Sequence, residues 1–198
     1  MNISGAKIVI DGFGNVGTFA FKYLEEEGAK IIAVSDSRGG IFNPDGIKYD
    51  EIKKIKEKKG SVIYGNGKRI SGRKIFELES DVIIPASLPD VINKDNMGKV
   101  RSKIIVEAAN IPIPLDVENK LSKKILIIPD FVANAGGVIS SYAEYIGKNT
   151  EYMEKAVRER IKRNVGLVLK KSSAEIDSPR NIASQIAIKR IKSVKRKL

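Results

Sequence analysis

Three glycines and one aspartate carry the most legible chemistry in this chain. An apolar run, AKIVID (6–11), leads into Gly12-Phe13-Gly14-Asn15-Val16-Gly17. An amphipathic stretch follows, and Asp36 ends a second apolar run, IIAVSD, nineteen residues beyond Gly17. Gly12 permits a tight turn out of a strand, Gly14 lets a phosphate approach the backbone, and Gly17 lets the next helix pack against the strand. Unpaired N–H groups and about half a positive charge at that helix start would face the pyrophosphate of a dinucleotide. Asp36 would accept hydrogen bonds from the adenosine ribose. A glycine-rich turn without a ligand is the bland alternative. Strand, turn, helix, second strand and carboxylate in this order argue against it.

The residue types that are missing narrow the chemistry further. The chain has 198 residues with no cysteine and no histidine, which excludes disulfides, thiolate catalysis, Cys-ligated metals and the commonest general base. No metal site is expected. Hydrophobic content of 42% and charged content of 30% describe an ordinary globular protein. No stretch approaches the ~20 apolar residues that span a bilayer, and no signal-peptide pattern opens the chain, so no membrane partner and a cytoplasmic location are expected. A net charge of +12 invites a nucleic-acid reading. The lysines are scattered over helical faces, however, and no recognition motif accompanies them, so nucleic acid is not the expected partner. The chain ends in the basic run KRIKSVKRKL, and leading into and through it Ile182, Ile186, Ile191, Val194 and Leu198 recur at helical spacing, which predicts a docked amphipathic helix with a solvated basic face.

Around the fingerprint, short Ile/Val-rich runs alternate with helical patterns. AKIVID (6–11), KIIAVSD (30–36), DVIIPAS (81–87), SKIIVEAA (102–109) and KILIIPD (124–130) lack strict alternation, as parallel strands covered on both faces do. The first helix is expected to carry Val16, Phe19, Ala20, Tyr23 and Leu24 on one face and to stop at Gly28. Residues 48–59 predict a lysine-rich exposed helix, and 61–76 a small β excursion or long loop. Three helical segments follow at 133–147, 151–171 and 179–197. The expected fold is a doubly wound α/β, Rossmann-type, mostly parallel sheet over 1–147. A C-terminal helical annex, 148–198, is expected to pack on the same domain.

Four further segments carry a family resemblance: SRGGIFNPDGI (37–47), PASLPDVINKDN (85–96), VEAANIPI (106–113) and PDFVANAGGVISSYAEY (129–145). With GFGNVG they resemble the nucleotide-binding domain of glutamate dehydrogenase, in the Glu/Leu/Phe/Val dehydrogenase family. The resemblance implies an NAD(P)-binding half of an oxidoreductase that deaminates L-glutamate to 2-oxoglutarate and ammonia. By that resemblance Gly12, Phe13, Gly14, Asn15, Val16 and Gly17 form the pyrophosphate loop, and Asp36 and Ser37 hold the adenosine ribose. Ala86 and Ser87 lie under the nicotinamide-side ribose, Asn110 and Asn134 bond that ribose and the carboxamide, and Ser141 meets the substrate's side-chain carboxylate. Each has a local alternative: Asn110 and Asn134 as caps, Ser141 bonded one turn back, Asp36 capping the next turn.

Two departures stand out. The family usually has Gly where Ile111 stands, and Thr-Thr where Ile113-Pro114 stands. Arg38, two residues past Asp36, could pair with a 2′-phosphate that Asp36 would repel; NAD is favoured on this reading, with NADP also possible. The family's catalytic lysine and aspartate belong to an N-terminal domain not represented in these residues. The chain is therefore expected to carry no catalytic residue, to bind NAD(P), and to turn over glutamate only with a complementing half. Self-association through the C-terminal helices is a further expectation. A free-standing NAD(P)-binding regulatory module and an inactive remnant are the alternatives.

Overall fold

The apolar runs become strands because side chains buried on both faces need helices above and below the sheet. A computed structural model describes residues 2–195 of the chain. In order, β1 (Lys7–Asp11) leads into α1 (Asn15–Glu26), then β2 (Lys30–Asp36), β3 (Gly39–Phe42), α2 (Tyr49–Lys59) and β4 (Lys68–Ile70). Next come β5 (Ser80–Pro85), β6 (Ser102–Val106), α3 (Leu115–Leu121), β7 (Leu126–Ile128), α4 (Asp130–Ala133), α5 (Gly136–Tyr145), α6 (Thr150–Glu175) and α7 (Pro179–Lys195). Short 3₁₀ turns occupy Val62–Tyr64, Gly72–Glu77 and Met97–Lys99.

The sheet has seven strands in the order β4-β3-β2-β1-β5-β6-β7. β1 lies between β2 and β5, parallel to both, with Ile8 opposite Ile31 on one side and Val82 on the other. β3 and β4 run antiparallel at one edge. This is the mostly parallel Rossmann-type sheet expected from the sequence. The chain divides into two compact units between Leu126 and Ile127, with β7 straddling the division.

In the first unit Ile8, Ile10, Phe21, Ile31, Val34, Ile41 and Ile52 form one buried cluster. Phe13 meets Phe21 edge-on at 5.9 Å between ring centroids, which braces the glycine turn from below. In the second unit Val132, Val168, Ile182 and Ala183 cluster across α4, α6 and α7. The Asn149 side chain caps α6 by accepting from the Tyr152 N–H at 3.0 Å.

Some local expectations are corrected. The expected apolar face of α1 splits in two. Gly17 and Phe21 are buried, while Val16, Phe19 and Tyr23 are half exposed on another face, Phe19 and Tyr23 stacked on each other. Positions 17, 20, 21 and 24 share the inward face, whereas 16, 19 and 23 project beside it. The β excursion of 61–76 exists, but it pairs with β3, a strand the sequence did not announce. The docked tail helix buries Ile182, whereas Ile191 is 59% exposed. Its side chain falls past the part of α7 that packs in the cluster; Leu198 and the Val194 side chain lie outside what is described. Among the described residues no helix is long and apolar enough to cross a membrane, and no group of acidic residues could hold a metal ion.

Candidate functional site

Strand order reverses at β1: the chain builds outward through β2, β3 and β4, then returns to place β5 on β1's other side. Such a reversal opens a crevice beyond the carboxyl ends of the adjacent strands. A groove of about 550 Å³ lies there, lined by Asp11, Gly12, Phe13, Gly14, Ser35, Asp36, Ser37, Lys56, Ala86, Ser87 and Leu88. That volume is within the usual range for small-molecule sites.

The glycines occupy the turn for visible steric reasons. Gly12 has φ +103, a left-handed backbone that L side chains rarely adopt. A Cβ at Gly17 would sit 1.8 Å from the Gly12 carbonyl oxygen. A Cβ at Gly14 would meet nothing within 4 Å, so the backbone there faces open space. The first intrahelical bond of α1 runs from the Thr18 N–H to the Gly14 oxygen at 2.9 Å. The amides of Asn15, Val16 and Gly17 thus have no carbonyl one turn back within the helix, and no side chain caps them. The turn presents donors to an anion, and it is the part of the groove that fits a pyrophosphate.

Beneath the turn lies a buried polar network. Ser35 donates to an Asp11 carboxylate oxygen at 2.8 Å and accepts from the Gly12 N–H at 3.1 Å. Ser87 donates to the other Asp11 oxygen. Three adjacent strand ends are thereby tied together through one carboxylate. Burial pushes the Asp11 carboxyl above its ordinary range, outweighing the two serine hydroxyls that act in the opposite direction.

Asp36 ends β2 with its side chain 5% exposed. One oxygen accepts from the Arg38 N–H at 2.9 Å and the Ser61 hydroxyl at 3.0 Å. The other accepts from the Lys56 ammonium at 2.6 Å and the Val62 N–H at 2.9 Å. Burial opposes ionisation, yet the bonds from Lys56, Val62, Arg38 and Ser61 together hold the carboxyl below its usual range.

The groove thus gathers Gly12, Phe13, Gly14, Asp36, Ser37, Ala86 and Ser87 from the sequence expectation, with Asn15, Val16 and Gly17 opening the helix behind the turn. Arg38 is exposed; its guanidinium lies 3.9 Å from the point where a Cβ at Gly60 would stand. Asn110 is exposed on the loop after β6. That loop is braced against the one after β5 by the Asp90 N–H to Ile111 oxygen and Ile92 N–H to Pro112 oxygen bonds, both 3.1 Å. Ile111 has φ +48, the conformation that makes glycine the natural residue there.

Asn134 and Ser141 belong to the second unit. Asn134 closes α4, its N–H donating to the Asp130 oxygen at 2.8 Å, and Arg180 holds the Asp130 side chain at 3.1 Å. Ser141 is exposed on α5; its neighbour Ser140 makes the bond one turn back, to the Gly136 oxygen at 2.9 Å.

Sequence reasoning missed Asp11, Ser35, Lys56 and Leu88. Asp11 immediately precedes the first glycine and could have been flagged as a carboxylate at a strand end. Lys56 carried no such signal among the lysines of α2.

An open, mostly parallel sheet with a glycine turn at its order reversal is the architecture of the Rossmann-type α/β proteins. The chain belongs to the Glutamate/Leucine/Phenylalanine/Valine dehydrogenase family, whose profile matches residues 1–197. It is 40% identical to a glutamate dehydrogenase of Aeropyrum pernix over 96% of this chain and 48% of that protein. It is 44% identical to an NADP-specific glutamate dehydrogenase of Saccharolobus shibatae over 72% of this chain and 34% of that one. Its fold superposes with TM-score 0.86 and 25% identity on a hetero-hexameric glutamate dehydrogenase of Thermus thermophilus in its Leu-bound form, covering 99% of this chain and 48% of that one. The chain spans about half the length, or less, of these curated relatives.

Proposed function

We propose that the groove binds a nicotinamide dinucleotide, NAD or NADP, and that the chain is the cofactor half of a glutamate dehydrogenase-like oxidoreductase. The observation that carries this reading is the turn at Gly12–Gly17: a backbone facing open space at Gly14, ahead of helix amides with no partner one turn back. Asn15 and Val16 amides hold the pyrophosphate, Asp36 and Ser37 border the adenosine ribose, and Ala86 and Ser87 border the second ribose. Because Asp11 accepts from Ser87, the Ser87 oxygen is left to accept from a ribose hydroxyl. Asn110, Asn134 and Ser141 are assigned to the nicotinamide and the substrate on family resemblance. When bound, the cofactor supplies the hydride acceptor for oxidation at the amino-acid α-carbon.

The substrate reading, L-glutamate to 2-oxoglutarate and ammonia, follows the relatives' names and requires the lysine and aspartate of a complementing domain. Positioning by such a second wall can lower a barrier by ~7–11 kcal/mol, so residues 1–198 alone are proposed to bind cofactor without turnover. Titration of the pure protein with NADH and NADPH, followed by calorimetry, tests the first part: saturable binding is expected, and heat no greater than dilution overturns it. Glutamate-dependent NAD(P)H formation by the pure chain overturns the second part, while activity that emerges only on adding a relative's N-terminal half supports it.

A further inference from the structure

The proposed cofactor groove has a feature at its ribose end that bears on which dinucleotide it takes. An ionised carboxylate offers about four lone-pair sites, and Asp36 already receives four donors, two on each oxygen. A ribose diol arriving there finds no vacant acceptor. Two of the donors are backbone amides fixed by the turns at 36–38 and 61–62. The third is the hydroxyl of Ser61, a wholly buried residue. Only Lys56 sits on a flexible stem, with its side chain 30% exposed, and it is the cation among the groove's lining residues.

Resting on the dinucleotide reading, we propose that Lys56 makes the groove selective for the 2′-phosphorylated cofactor. Its ammonium cancels the Asp36 charge that would repel a phosphate. It has three N–H donors and spends one on Asp36, so two remain for phosphate oxygens entering along the groove. Arg38 adds a second positive group nearby, its guanidinium close to Gly60 just beyond the end of α2. A bare 2′-hydroxyl has less to gain: it meets a carboxylate already saturated, and a lysine that binds a dianion far better than a neutral oxygen. The preference for NAD drawn from Asp36 in the sequence assumed a free carboxylate. The geometry points instead to a closed ion pair whose cation is the recognition element.

The test compares dissociation constants of NADPH and NADH, with 2′,5′-ADP and ADP as probes of the adenosine end alone. For the wild-type chain we expect NADPH and 2′,5′-ADP to bind about tenfold more tightly than their unphosphorylated counterparts. Lys56→Met should bring that ratio to about one, the phosphorylated ligands losing the most. Lys56→Arg should keep most of it. The ratio is the readout because any loss of fold stability in the variant lowers both affinities together. Wild-type preference for NADH, or an unchanged ratio in Lys56→Met, overturns the inference while leaving the dinucleotide reading intact. Uptake of neither dinucleotide overturns both.

Discussion

The two compact units of this chain are stabilised in different ways. In residues up to 126, fully buried isoleucines of β1, β2 and β5 are sealed by Phe21, and close backbone approaches leave no room at Gly12 and Gly17. In residues from 127, Val132, Val168, Ile182 and Ala183 form a buried cluster between helices, and α5 leaves Val138, Tyr142 and Tyr145 between 51% and 87% exposed along one face. Parallel strands are found almost only with both faces covered, and the isoleucines of β1, β2 and β5 are buried accordingly. Helices satisfy their backbone internally and tolerate an open side. The rigid, over-determined geometry therefore sits at the turn proposed to grip a dinucleotide through its main chain. Exposed apolar side chains occur in both units, Val16, Phe19 and Tyr23 on α1 and Val138, Tyr142 and Tyr145 on α5, so what separates the units is the tightness of their backbone approaches.

The largest effect should come from breaking the tightest approach. Gly17→Ala forces a Cβ to within 1.8 Å of the Gly12 oxygen, whereas Gly137→Ala on α5 meets nothing within 4 Å. Gly17→Ala should cost about 3 kcal/mol in urea unfolding and abolish dinucleotide binding. Gly137→Ala should be neutral or slightly stabilising, since alanine favours a helix by about 1 kcal/mol over glycine. Equal losses in the two variants would remove the distinction between the units.

The five apolar strand runs were legible because stretches such as KIIAVSD need no partner to declare themselves; β2 is Lys30–Asp36 itself. β3 was not legible, because Gly39-Gly40-Ile41-Phe42 reads as a turn until its neighbours are known. A Cβ on Gly40 would lie 3.0 Å from the Val34 oxygen, so the glycine answers to a non-local approach. Local pattern also cannot choose among Lys53, Lys54, Lys56, Lys58 and Lys59. Only the path from α2 to Ser61 swings Lys56 onto Asp36. The α1 face was misjudged because Val16, Phe19 and Tyr23 have helical spacing of their own, next to the residues that are buried.

A second, smaller effect tests the sheet unit's crevice through two carboxyl groups shifted in opposite directions. Asp36 is held below its ordinary range, so it stabilises the fold at pH above the unfolded value of ~3.9, and this is lost as pH falls through the lower folded value. Asp11 is pushed up, so its contribution is present below the unfolded value and is lost as pH rises through the folded one. Asp36→Asn should cost about 2 kcal/mol near neutrality, with the deficit shrinking in acid. Asp11→Asn should fare better relative to wild type as pH rises. Urea midpoints across pH 3 to 7 (about the carboxylate range) check both slopes. Parallel slopes for the two variants would contradict the assignment.

The smallest effects separate backbone strain from packing, one residue in each unit. Ile111, at φ +48, and Ile176, at φ +52 where α6 ends, hold left-handed conformations that disfavour a β-branched side chain. Ile176 is 94% exposed and its N–H caps the Ser172 carbonyl, so glycine keeps the bond and gives up almost no burial. Ile176→Gly should stabilise by about 0.5–1 kcal/mol, the strain relieved less glycine's entropy in the unfolded chain. Ile111 is 60% exposed, and its carbonyl accepts from Asp90 whichever side chain it carries. Ile111→Gly relieves the same strain, so any shortfall from the Ile176→Gly gain measures what the isoleucine side chain contributes. A loss on Ile111→Gly beside a gain on Ile176→Gly would mean that this isoleucine braces the loop carrying Asn110. The residue departing from the family's glycine would then be a support of the candidate site rather than a tolerated strain.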